Sequence, residues 1–399
     1  MKIALFSPLN PIKTGISDYV EELLPELARH FEVDVYIDPG YQPSDRGLQD
    51  RFHIIPFNPD RFPYDRYDAV LYHMGNFYDG HRYVYEALLR YPGVVVLHDF
   101  VMQGFYAEQY DETGDYQRYA QLQEQYYGEQ GREIAERIKL RGPIPIWESP
   151  EAINFPLNEE IVSYARGLIV HSDFVRQRIE ALTSAPIFII PHHGHVAKSF
   201  DNQAIRRSLD VEESQLLICS AGYISKNKRY HRILAALRQL EDIPFQYVIA
   251  GEDRGGLLRD SHLSEHRAFR VLGHLRLPEM ESVISSSDIC INLRFPTMGE
   301  SSGSLIRMMG YGKPVLVTNF GSYAELPDYA VLKVDPDIDE VETIKRFVQS
   351  LALDPDFRLS VGREARAYVE RECSLPRCAE LYAQAIRHCC RQGLGDQGE

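Results

Sequence analysis

The sequence predicts an α/β protein built from two doubly wound domains, each a parallel sheet with helices on its faces. Three observations carry this. Short apolar runs recur along the chain with amphipathic stretches between them. Several of the runs end in glycine or in a histidine with a polar neighbour, where open parallel sheets place ligands. The 399 residues suffice for two domains that each bury a core of their own.

Bulk properties narrow the function classes. Hydrophobic content of 44% with 25% charged residues is ordinary for a globular protein. A formal net charge of −15 argues against a nucleic-acid binder, which needs clustered Lys and Arg to neutralise phosphates. No run reaches the roughly 18 apolar residues of a membrane span, and a strand starting at Lys2 leaves no room for a signal peptide, so a cytoplasmic protein is expected. Cys219, Cys290, Cys373, Cys378, Cys389 and Cys390 follow neither metal-site nor secreted-framework spacing and read as reduced thiols.

Lys2 to Ser7 (KIALFS) is a first apolar strand, followed by a loop and an amphipathic helix from about Ser17. That loop holds Gly15 but no G-x-G-x-x-G fingerprint, which argues against a nicotinamide or flavin dinucleotide. Strands are predicted at Glu32–Asp38, Phe52–Phe57, Ala69–His73 and Val94–His98, with helices between them such as His81–Arg90. His73 with Asn76, and His98 with Asp99, put polar groups at one sheet edge. Residues Gln103 to Asn158, rich in Tyr, Gln and Glu, read as a helical insertion running to Gly142 and closed by PIPIWESP with the single Trp147. Its aromatic faces suit stacking on sugars, and a plain helical cover over the sheet is the competing reading. NEEIVSYARGL and DFVRQRIEAL as helices, and LIVHS and PIFIIP as strands, complete the domain.

Pro191 to Phe200 (PHHGHVAKSF) marks the boundary. His192, His193 and His195 invite a metal reading, but acids or cysteines at ligand spacing are lacking, and an inter-domain linker is preferred. A helix near Gln203–Leu209 precedes LLICSAG, a buried strand ending in Gly222, and then a loop with Lys226, Lys228 and Arg229. Cations between a strand end and a helix start suit one half of a phosphate clamp. Strands ending at Gly251 and Gly273 follow; two helices span Asp339 to Glu370, and SLPRCAELYAQAIRHCC is the last helix. Asp335, Asp337 and Asp339 form a D-x-D pattern that reads as helix capping rather than a metal signature.

The stretch from Asp288 to Leu326 carries the most chemistry. A buried strand (Ile289–Leu293) leads through Arg294, Thr297 and Glu300 to a helix starting near Ser302. Ser302, Gly303 and Ser304 would turn backbone N–H groups and the positive end of the helix dipole toward a phosphate. Glu300 cannot serve a phosphate and would accept hydrogen bonds from hydroxyls. Phosphate with hydroxyls points to a sugar nucleotide.

This stretch resembles the donor-site signature of the GT-B retaining glycosyltransferases of family 4 (glycosyltransferase group 1). Glu300, Gly303, Gly312 with Pro314, and Glu325 fall at its first acid, its glycine, its Gly and Pro pair and its trailing Glu. Met308 stands where that family has a second acid. That family has Gly, then Arg and a following Lys that contact the donor diphosphate; Gly222 and Lys228 fit this spacing, Tyr223 takes the place of the arginine, and Arg294 would supply the missing guanidinium. Thr14 and Gly15 match a loop near the donor phosphates, and His98 a histidine facing the acceptor side.

The resemblance spans nearly the whole chain and implies two Rossmann-like domains facing a central cleft: residues 1–195 on the acceptor side with the insertion 103–158, 196–374 for the donor, a helix 375–390 crossing back to the first domain, and a disordered tail 391–399. The implied activity is a hexosyltransferase of the EC 2.4 class, moving a sugar with retention from a nucleoside-diphosphate sugar to an acceptor hydroxyl in cell-surface polysaccharide or glycolipid synthesis. Catalysis would fall to Glu300, His98 and Lys228, and donor binding to Gly15, Gly222, Lys228, Arg294, Ser302, Gly303, Ser304 and Glu325. No metal or cofactor is expected, since fixed cations would replace a bound Mg²⁺. The implied acceptor is a saccharide or lipid-linked one, and a polyprenol-linked or cell-surface glycan would bring the protein to the inner membrane face. Two rivals share the fold: a sugar-nucleotide epimerase, and a non-catalytic nucleotide-sugar-binding or scaffold subunit, to which Met308 and Tyr223 point.

Overall fold

The computed structural model describes residues 1–140, 145–194, 199–253, 256–258, 268–337 and 339–393. The chain divides into two compact units. Unit 1 comprises Met1–Pro191, Met298–Ser301 and Leu375–Glu399, and unit 2 comprises His192–Thr297 and Ser302–Ser374. The boundary expected at 195/196 lies outside the described residues.

Unit 1 runs β1 (Lys2–Phe6), α1 (Gly15–Leu27), β2 (Glu32–Ile37), α2 (Arg46–Arg51), β3 (His53–Pro56), β4 (Ala69–Met74), α3 (Tyr78–Arg90), β5 (Val94–Leu97), α4 (Gln103–Thr113), α5 (Tyr116–Lys139), α6 (Glu159–Tyr164), β6 (Gly167–Val170), α7 (Asp173–Ile179) and β7 (Ile187–Ile189). The strands form one parallel sheet in the order β3-β2-β1-β4-β5-β6-β7, with Leu5 level with Val35 on one side and Leu71 on the other. Alternation along each strand builds two cores. Ala4, Phe6, Tyr72 and Met74 enter one with α3, while Ile3, Leu5, Val35 and Leu71 enter the other with α1.

Two elements differ from the sequence pattern. Helix α1 starts at Gly15, not near Ser17, because the Thr14 hydroxyl accepts the Ile16 and Ser17 N–H groups at 3.0 and 3.2 Å. Helix α5 breaks at Gly128, whose φ of 61° and ψ of −132° no helix accommodates. The expected end at Gly142 lies outside the described residues. Trp147 packs against the core of unit 1, as a cover would.

Unit 2 runs α8 (Asn202–Ser208), β8 (Leu216–Ala221), α9 (Tyr230–Leu237), β9 (Phe245–Ala250), β10 (Phe269–Val271), α10 (Leu277–Ser286), β11 (Ile289–Asn292), α11 (Gly303–Gly310), β12 (Val315–Thr318), β13 (Leu332–Val334), α12 (Glu340–Leu353) and α13 (Pro355–Glu372). Its parallel sheet has the order β10-β9-β8-β11-β12-β13. Helix α12 starts after Asp339, whose side chain makes no cap hydrogen bond; the Asp337 carboxylate instead accepts the Asp339 N–H at 3.3 Å. Asp335 accepts from the Asn319 amide at 2.8 Å.

The last helix, α14 (Leu375–Gly393), belongs to unit 1. Cys378, Ala379, Tyr382, Ala383 and Ile386 recur at helical spacing and join the core over β1 and β4. The helix continues through Arg391 and Gln392, good helix formers that were expected to lie in a disordered tail, and its first glycine is Gly393. Residues 394–399 lie outside the described residues. All six cysteines are free thiols, and burial pushes Cys219 and Cys378 up to about 12 and Cys389 up to about 11. Among the described residues no helix is long and apolar enough to cross a membrane.

Candidate functional site

In unit 2, polar groups gather at the carboxyl ends of the neighbouring strands β8 and β11. Strand β8 stops because Gly222 turns left-handed, with φ of +93°. A Cβ on Gly222 would stand 2.6 Å from the Lys228 ammonium and 4.0 Å from Ser304 Oγ. Lys228 lies in a single 3-10 turn, Lys226–Lys228, and is buried with its Nζ donating to the Ala221 carbonyl at 3.1 Å. Strand β11 ends at Asn292, whose amide donates to Ser304 Oγ at 3.0 Å. Ser302 caps α11, its Oγ accepting the Leu305 N–H at 3.4 Å and lying 3.1 Å from Ser304 Oγ. Gly303 opens the helix against the His192 ring, which lies 3.2 Å from where its Cβ would be.

The structure thus gathers Gly222, Lys228, Ser302, Gly303 and Ser304, and adds Asn292 and His192. An ammonium, two hydroxyls and a helix N-terminus together suit an anionic ligand. Asn292 was legible as a polar residue closing an apolar strand. Nothing local in the sequence indicates that His192 folds onto Gly303.

Other expected residues lie nearby or elsewhere. The Arg294 N–H donates to Thr318 Oγ1 at 2.8 Å. Burial pushes the Tyr230 hydroxyl above its ordinary range, and the charge of Arg294 opposes this. Glu325 is exposed at the end of a 3-10 turn, on the side of Tyr368 in α13. Met308 is fully buried in an apolar core, so its helix position presents no group to a ligand. Arg229 is committed elsewhere, its guanidinium paired with Glu340.

In unit 1, histidines at the ends of β4, β5 and β6 form a hydrogen-bonded chain. His171 Nδ1 lies 2.8 Å from the Ile190 carbonyl, which only accepts, so Nδ1 carries the proton. Burial holds His171 down at about 4, and its Nε2 therefore accepts from His98 Nδ1 at 3.1 Å. His98 Nε2 pairs with His73 Nδ1 at 2.9 Å. Both ring nitrogens of His98 are engaged within the chain. Asn76 and Asp99 tie loops together: Asp99 accepts the Asn76 N–H at 2.8 Å, and Asn76 accepts the Phe105 N–H at 2.7 Å.

Glu300 also belongs to unit 1. The Met298 carbonyl accepts the Phe100 and Val101 N–H groups, both at 2.9 Å, and Gly299 at φ of +75° closes onto Phe100. Glu300 is buried, with Oε2 accepting the Met298 N–H at 2.6 Å. Glu300 and Ser302–Ser304 therefore fall in different units. Gly15 is the first residue of α1, and a Cβ there would meet nothing within 4 Å, so the fold itself makes no demand for glycine.

Among the described residues no three His, Cys, Asp or Glu side chains are grouped to hold a metal ion. His192 Nδ1 lies 2.7 Å from the His193 carbonyl, and His195 is outside the described residues.

Residues 201–368 match the family model described as Glycosyl transferases group 1. No curated protein sequence matches the chain. Among solved structures, sucrose-phosphate synthase from Thermosynechococcus elongatus is similar at 16% identity, with a TM-score of 0.66 over 97% of this chain and 98% of that one. HepE from Anabaena in complex with UDP-glucose matches at 12% identity and a TM-score of 0.65, over 97% and 100%. WaaG, a glycosyltransferase involved in lipopolysaccharide biosynthesis, matches at 15% and 0.59, over 96% and 99%. At these identities the likeness bears on the fold, which is the GT-B fold of two Rossmann-like units.

Proposed function

We propose that this glycosyltransferase of the EC 2.4 class, whose residues 201–368 match the Glycosyl transferases group 1 model, transfers a hexose with retention from a nucleoside-diphosphate sugar to an acceptor hydroxyl. The observation that carries the reading is the meeting of Lys228, Gly222, Ser302, Gly303 and Ser304 at the ends of β8 and β11. As the glycosidic bond breaks, negative charge grows on the departing diphosphate. A fixed ammonium and the free N–H groups of α11 are then worth most, because they need no reorganisation. On this reading Lys228 and the 302–304 turn hold the diphosphate, Arg294 adds a guanidinium, and Glu300 takes hydrogen bonds from donor-sugar hydroxyls. Gly15 leaves room for the donor, and Glu325 follows the family pattern. His98 acts as the middle of its chain, setting the tautomer of His73. Fixed cations do the work of Mg²⁺.

HepE structures with UDP-glucose and with UDP make a uridine nucleotide the first probe. WaaG, a glycosyltransferase involved in lipopolysaccharide biosynthesis, supports a glycan acceptor of the lipid-linked or cell-surface kind, and the proposal includes family 4 membership and work at the cytoplasmic membrane face. The test is a thermal-shift screen against UDP, GDP, dTDP, ADP and their sugars, followed by transfer assays with the anomer of the product read by NMR. A selective rise in Tm and a retained anomer are expected; a folded protein that shifts with none of them sinks the reading.

The buried Met308 favours a second reading, a nucleotide-sugar-binding subunit without turnover. Such a protein binds donor and converts nothing with or without acceptor, whereas an epimerase converts donor alone.

A further inference from the structure

Arg229 has φ of 59° and ψ of 24°, a left-handed conformation that its side chain disfavours. It is a joint between two elements. Its N–H closes the turn that carries Lys228, donating to the Lys226 carbonyl at 3.3 Å, and its own carbonyl accepts from Arg232 and Ile233 at 2.8 and 3.1 Å to open α9. Its guanidinium reaches a carboxylate 111 residues further along the chain. Nε donates to both oxygens of Glu340 at 3.0 and 3.1 Å, and Nη2 donates to Oε2. Glu340 is 1% exposed, sits at the first position of α12 where the helix dipole favours its charge, and has the Arg232 Nε 3.5 Å away. Behind the joint, the guanidinium carbon lies 5.8 Å from the Phe295 ring centre, and the Phe295 N–H donates to the Asn227 carbonyl at 2.7 Å.

We infer that Glu340 is a positioning residue: by holding Arg229 left-handed from a distance it fixes the Lys226–Lys228 turn and so aims the Lys228 ammonium at the end of β8. The inference rests on the donor-binding role proposed for Lys228 and deepens it. A glycine at 229 would adopt this backbone conformation unaided, so the anchor exists because residue 229 is an arginine. Without the carboxylate, the guanidinium loses its partner and the joint relaxes toward commoner backbone angles. The turn then tilts Lys228 away from Gly222.

The test is a double-mutant cycle on the full chain with E340Q, R229G and the pair, read by UDP titration calorimetry and by amide exchange of residues 225–230 without ligand. E340Q alone is expected to raise the Kd for UDP about tenfold and to speed exchange across the turn. In the R229G background the same change is expected to cost less than about threefold in Kd and to leave exchange unaltered. Wild-type affinity and exchange in E340Q overturn the inference, as does a full E340Q penalty in both backgrounds, which would mean that Glu340 acts only as a general anchor of α12. If the unmodified protein binds no UDP, the donor reading fails, while the exchange arm still decides whether Glu340 locks the turn.

Discussion

The ammonium of Lys228 stands 2.6 Å from the point where a side chain on residue 222 would begin, so Gly222 and Lys228 share one small space at the end of β8. Gly222→Ala therefore fails twice. The left-handed φ of +93° costs an alanine about 1–2 kcal/mol, lowering Tm by about 2–8 °C, and the methyl evicts the ammonium. Nucleotide affinity is expected to fall by roughly tenfold or more, beyond what the stability loss explains, in calorimetric titration with UDP.

Lys228→Ala and Glu300→Ala are each expected to lower kcat/KM by about a hundredfold or more while the protein keeps its circular dichroism spectrum. The two should differ in kind. Loss of Lys228 weakens UDP itself, whereas loss of Glu300 leaves UDP binding intact and weakens the sugar nucleotide. Near-wild-type turnover in either variant removes that residue from the site.

Gly15→Ala separates a glycine that the fold needs from one that a ligand needs. Its Cβ meets no protein atom within 4 Å, so Tm should hold or rise, by about 0.4–1 kcal/mol in stability. A rise in donor KM of roughly tenfold is expected if the loop lines the donor. An unchanged KM assigns Gly15 to the turn alone.

Acid should destabilise unit 1 through its buried histidines. Burial lowers His81 and His171 to about 4 from an ordinary 6.5, so the unfolded chain takes up protons that the folded chain refuses as pH falls below that ordinary value. Stability is full above pH 6.5 and falls toward pH 4, by up to about 3 kcal/mol for each group. Urea unfolding across this range should show the slope, and His81→Asn should flatten part of it. An unchanged slope in the variant would mean that His81 titrates normally in the fold.

The strands, the glycine at the end of β8 and the serine cap of α11 were legible because each is a local pattern: an apolar run, a turn residue, a hydroxyl before a helix. The chain from His73 through His98 to His171 was half legible. Residue order marks each strand end, but which strands are neighbours decides that three rings touch. The pairing of Arg229 with Glu340, and of His192 with Gly303, left no trace in sequence, since long separation and tertiary register bring them together. Which unit holds Glu300 was not legible. Its neighbours read as one continuous βα loop, whereas backbone hydrogen bonds from Phe100 and Val101 draw Met298–Ser301 into unit 1.

Helix α14 closes the core of unit 1 over Ile3, Leu5 and Leu71, with the Tyr382 hydroxyl 2.8 Å from that of Tyr19. A ribosome makes that lid after every residue of unit 2. One face of the first sheet thus emerges only partly covered, by α1, and it is finished only when α14 follows unit 2. A premature stop ahead of Leu375 would yield no working amino-terminal half. It would yield a sticky fragment for chaperones and proteases to clear.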